Sequence, residues 1–154
     1  CGCRPGRPMS RSAVFMALVG TASREGIESR KRHLKEHGPS EMGLNYANIL
    51  EVEEGLRRQL KVKGFFRIYL YLPEPDKAVC FALKISAFRT YQRPQVFLDP
   101  VDGWMYLIHS RVTIRSIDPV DPPKGLGDFT SIDRRRLDVR HLELGFLFVV
   151  YPEV

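Results

Sequence analysis

Residues 64–117, GFFRIYLYLPEPDKAVCFALKISAFRTYQRPQVFLDPVDGWMYLIHSRVTIRSI, decide the fold. Within them Val79, Phe81, Leu83 and Ile85 alternate with Cys80, Ala82, Lys84 and Ser86, and Ile108, Val112 and Ile114 alternate with His109, Arg111, Thr113 and Arg115. Period-two patterning of this kind marks strands with one buried and one wetter face. Between the two runs lie about twenty residues without a clear period, too many for a tight hairpin and of a length that usually carries function in compact domains. Phe88, Tyr91, Phe97 and Trp104 fall in this expected loop, beside Arg89, Arg93 and Asp102. Rings and guanidinium groups on a loop supported by a sheet suit a planar base next to a phosphodiester backbone.

Moving outward, residues 65–72 are apolar on both faces except for Arg67, the mark of a central strand, and Pro73, Glu74, Pro75 and Asp76 make the turn into the next. Upstream, residues 13–19 form a short apolar run consistent with a buried strand. Thr21 or Ser23 caps a cationic, lightly docked helix over residues 24–37, which Gly38 and Pro39 end. Asn48 and Glu51 have the capping-box spacing and announce a second helix carrying Leu50, Val52, Leu56 and Leu60, closed by Gly64. Downstream, prolines and glycines from Asp118 to Gly127 break the chain, residues 129–144 fit neither period, and residues 146–150 read as the last strand. Residues 1–12, rich in Arg, Pro and Gly, read as a flexible basic tail, and residues 13–154 as a single domain.

A formal charge of +6 and a pI near 9.4 favour an anionic partner, nucleic acid before an acidic protein or a membrane surface. No apolar run approaches the ~20 residues that span a bilayer. Cys1, Cys3 and Cys80 make no disulfide framework, and Cys80 within a strand pattern reads as a small, half-buried residue of a reducing, cytoplasmic compartment. His33 and His37 share a helix face, yet the Glu that follows the first His in metalloproteases is replaced by Leu34, so they read as solvated histidines at a helix C-terminus and no metal is expected.

The order of strand, two helices, meander and closing strand resembles the PUA-like superfamily, and within it the EVE and YTH-type readers of modified bases. Residues 14–19 resemble the opening strand. Gly64, Phe65, Phe66, Arg67, Ile68, Tyr69, Leu70, Tyr71 and Leu72 resemble the glycine-plus-aromatic barrel wall, followed by residues 79–85 and 106–114. The resemblance implies an α+β fold, a small mixed or antiparallel barrel-like sheet with flanking helices. It also implies a base pinched between aromatic rings at the barrel mouth. Some members of the group are the N-terminal recognition domains of McrB-type restriction systems.

An extruded base has lost its stacking and pairing partners, and the protein must replace both. Trp104, exposed by the turn at Asp102 and Gly103, is the first candidate ring, with Tyr46 and Tyr91 for the other wall. Asn45, Asn48 or Asp102 could read the base edge, and Arg89, Arg93, Arg111 and Arg115 could meet phosphate. Each has a plainer reading: Trp104 as a core residue, Tyr46 as a helix staple, Asn48 as an N-cap, the arginines as a solvated sheet face. Catalytic patterns are incomplete. Asp76 and Lys84 lack the second acid of a nuclease metal site, no elbow motif places Ser131, Asp133 and His141, and Arg134, Arg135 and Arg136 read as a solvated cluster. The expectation is a non-enzymatic module without cofactor that binds DNA or RNA and reads a modified or flipped base, with further domains or subunits of a larger assembly as partners. The alternative is a basic protein-interaction domain.

Overall fold

The computed structural model of the chain describes residues 17–44, 50–72, 79–121 and 147–150. β1 (Ala17–Thr21) buries both Leu18 and Val19, neighbours that point to opposite sides, so the described end of the opening apolar run is a strand covered on both faces, residues 13–16 lying outside the described residues. Ser23 then caps α1 (Arg24–His37), its hydroxyl accepting from the Gly26 N–H at 2.9 Å. Gly38, at φ 79°, closes the helix by donating its N–H to the Leu34 carbonyl at 2.8 Å. Ile27 is buried and Leu34 partly so, which makes α1 the lightly docked helix that its charge predicts. There follow β2 (Ser40–Leu44), α2 (Leu50–Lys63), β3 (Phe66–Tyr71), β4 (Cys80–Leu98), β5 (Met105–Val120) and β6 (Leu147–Val150).

The strands form one six-stranded sheet in the order β2-β5-β4-β3-β1-β6. β1 and β3 are parallel and every other neighbouring pair is antiparallel, so the described residues form a mixed α+β protein with two helices. Ile68, Leu83, Ile85, Val112 and Ile114 of the central strands make the core with Ile27 of α1 and Leu56 of α2. Cys80 is fully buried rather than half-buried. Among the described residues, no helix is long and apolar enough to cross a membrane.

Two expectations are corrected. The helices do not follow one another directly, because β2 stands between them and pairs along β5 from Ser40↔Ile114 to Leu44↔Ser110. With Gly38, Pro39 and Gly43 around it and only Met42 and Leu44 as large apolar residues, this edge strand shows no period of its own. Nor is there a long aromatic loop. β4 is 19 residues long and β5 begins at Met105, leaving residues 99–104 as a short turn at the end of an extended two-stranded arm. The ladder is interrupted once in this arm, where pairing passes from Thr90↔Ser110 to Gln95↔Ile108, and residues 91–94 bulge out of register. That bulge erases the alternation. Phe88 and Phe97 are accordingly buried strand residues, Phe88 edge-on to Phe66 at 6.0 Å and Phe97 to Tyr106 at 5.9 Å.

Candidate nucleic-acid interface

The arm divides into two parts of opposite chemistry at the bulge. On the near side, Arg89 of β4 lies directly across from Arg111 of β5. Both guanidinium groups face the ring of Tyr91, at 5.9 and 5.8 Å from its centroid. Arg111 also lies over Phe97 at 5.2 Å and donates from one Nη to Glu41 of β2 at 3.1 Å, while its buried Nε has no partner. Arg93 is exposed within the bulge. α2 steadies this region: Arg57 donates to the Thr90 hydroxyl at 2.7 Å and lies over the Phe88 ring at 5.1 Å.

The same arrangement recurs toward the middle of the sheet. Arg67 of β3 is paired across from Lys84 of β4, and both cations flank the ring of Phe65, at 4.8 and 4.7 Å. Arg115, exposed, is the extra residue of β5 where the register shifts between Lys84↔Ser116 and Ile85↔Ile114. Arg89 follows Lys84 by five residue steps of strand, roughly 16 Å, so the two clusters form one cationic tract along β4. Arg67, Lys84, Phe65 and Arg57 were not among the binding residues expected from sequence, where Lys84 was weighed only with Asp76 as an incomplete nuclease site and Phe65 and Arg67 only as part of a barrel-wall strand. Arg67 had left a signal, as the only charge in an otherwise apolar strand, whereas Lys84 reads as an ordinary wet-face residue until the register is known.

Trp104 and Asp102 lie at the far end of the arm. Asp99, buried at the start of the turn, builds that end: its Oδ1 accepts from the Val101 and Asp102 N–H groups at 2.7 and 3.2 Å. Its Oδ2 accepts from Arg30 of α1 at 3.0 Å and from the Tyr106 hydroxyl at 3.4 Å. Burial, together with the negative charge of Asp99 and Asp102, holds the Tyr106 phenol well above its usual range and keeps it a donor. Asp102 accepts from the Trp104 N–H at 2.8 Å, and Gly103, at φ 73°, supplies the left-handed residue of the turn. β2 approaches so closely that a Cβ on Gly43 would collide with Cγ2 of Ile108 and press on Phe97.

Trp104 is exposed, which rules out its reading as a core residue. The structure does not bring it together with Tyr91: the rungs from Leu98↔Met105 to Gln95↔Ile108 and then the bulge lie between them. Arg89 and Arg111 are brought together, with Arg93 beside them in sequence and Arg115 farther along β5. Asn45, Tyr46 and Asn48, like Asp76, Ser131, Asp133, His141 and the 134–136 arginines, lie outside the described residues. Among the described residues no group of three or more His, Cys, Asp or Glu side chains could hold a metal ion. Compared with known proteins, the chain matches no family model, no curated protein and no solved structure.

Proposed function

We propose that the chain is a non-enzymatic nucleic-acid-binding module whose contact surface is the cationic tract of β3, β4 and β5. One observation carries the reading: like charges stand directly opposite each other twice in one sheet, Arg89 against Arg111 and Arg67 against Lys84, each pair around an aromatic ring. Like charges across a ladder destabilise a sheet, and a sheet under selection for folding alone would place acids there. A polyanion cancels that repulsion when it binds. The rings of Tyr91 and Phe65, both partly exposed, offer stacking planes for bases while the guanidinium and ammonium groups meet phosphate. Rings on a sheet favour single strands, loops or an extruded base over an intact duplex.

In this reading the stacking role falls first to Tyr91, and Trp104 stands outside the contact surface. A PUA-like ancestry and the reading of a modified base belong to the same proposal, which rests for them on the sequence resemblance of residues 64–72, 79–85 and 106–114. The test is a titration of labelled single-stranded DNA and RNA, unmodified, methylated and hydroxymethylated, against the wild type, Tyr91→Ala and Trp104→Ala. Tyr91→Ala is expected to weaken binding about 5- to 150-fold, the loss of one stacked base, and Trp104→Ala to leave it unchanged. Equal affinity of wild type and Tyr91→Ala for every oligonucleotide would remove the stacking role. Failure of the wild type to bind any of them would remove the function.

A further inference from the structure

Beyond the bulge, the arm carries a second surface of a different kind. Val96 pairs across from Leu107 and Leu98 from Met105, and the period of two places all four on one face of the arm. They are 66%, 56%, 60% and 67% exposed, and Trp104 at the arm's end is 67% exposed. Together they offer roughly 500 Å² of apolar surface, at the upper end of what monomers leave in water. Val62 on α2 is the other large apolar side chain so exposed among the described residues.

Charge decides what can cover this face. The chain has 24 Lys and Arg, yet none between Arg93 and Arg111. The acids of the stretch are Asp99, buried against Arg30, and Asp102 in the turn. Nucleic acid, an anionic membrane and an acidic protein all need cations where the arm has none. Val96, Leu98, Met105 and Leu107 carry no charge, so two copies of the patch meet without like charges in direct contact. Two such patches face to face bury at most about 1,000 Å² in total, the size of a weak, reversible interface.

We infer that the distal arm is a homodimer contact in which Val96, Leu98, Met105 and Leu107 of two copies pack across a two-fold axis, with Trp104 at the rim. The contact is independent of the cationic tract and needs no nucleic acid. Trp104, the only Trp of the chain, reports on it directly. Sedimentation and Trp emission are measured on the full chain without nucleic acid from about 1 to about 100 µM, a range over which a micromolar dimer assembles by mass action. The expected result is a mass rising from 17.7 kDa toward twice that value, with a parallel blue shift of the emission. Leu98→Asp and Leu107→Asp, each at an exposed position and checked for folding by circular dichroism, should remain monomeric with red emission throughout. A wild type that is monomeric at the highest concentration overturns the inference. So does a dimer that both variants retain.

Discussion

Asp99 organises the arm through a single buried carboxylate that holds two turn N–H groups, the Arg30 guanidinium and the Tyr106 hydroxyl. Removing one member of a buried ion pair leaves the other desolvated and alone, so Asp99→Ala should cost about 3–5 kcal/mol in urea unfolding, and Asp99→Asn, which keeps an acceptor for the turn, distinctly less. A second prediction concerns Cys80. Burial pushes its thiol from 9.0 up to about 11, partly opposed by a hydrogen bond with Tyr71. The native thiol therefore stays protonated where the unfolded chain has begun to ionise. The stability this contributes is complete below pH 9 and is lost as the pH rises toward 11, on the order of 2–3 kcal/mol. Tyr106, raised in the same sense, adds to the decline from about pH 10 upward. Urea midpoints across this range should fall for the wild type and fall less for Cys80→Ala; equal slopes would contradict the assignment.

At the scale of the element, the proposed function sets stability against binding in the β4–β5 arm. Arg89 sits across from Arg111 without an ion-pair partner among those described, so Arg89→Ala should leave the melting temperature unchanged or raise stability by a few tenths of a kcal/mol while weakening oligonucleotide binding. Arg111→Ala also loses a half-exposed pair with Glu41, worth about 0–1 kcal/mol, and should not stabilise. A drop in stability for Arg89→Ala would mean that the pair is structural. The same arm shows where sequence patterning stops being legible. The bounds of α1 were legible because a capping hydroxyl, left open between Thr21 and Ser23, and Gly38 act locally, and 79–86 and 108–115 because large apolar side chains alternate with small or polar ones, although Cys80 and Ala82 prove buried on the second face of β4. Residues 87–107 were not. A bulge at 91–94 shifts the period, and beyond it Phe97 faces inward while Val96 and Leu98 face outward, so apolar residues occupy both faces and mimic an aperiodic loop. The candidate site was legible as residue types, Tyr91 with Arg89 and Arg111. The separation of Trp104 from Tyr91 depends on strand register, which the sequence does not carry.

For the whole molecule, the cations of the proposed contact lie along β3, β4 and β5, while the distal arm carries no Lys or Arg. Binding by such a tract releases condensed counterions, so affinity for a single strand should fall as log Kd rises linearly with log salt, with a slope of about 0.7 for each phosphate neutralised. The measurement that decides is this salt slope for the wild type and for the double variant Arg89→Ala, Arg111→Ala, on one unmodified single-stranded oligonucleotide. The slope is expected to drop by about 0.7 for each of the two contacts removed, with weaker binding at every salt concentration. Identical slopes and affinities for the two proteins would contradict the account.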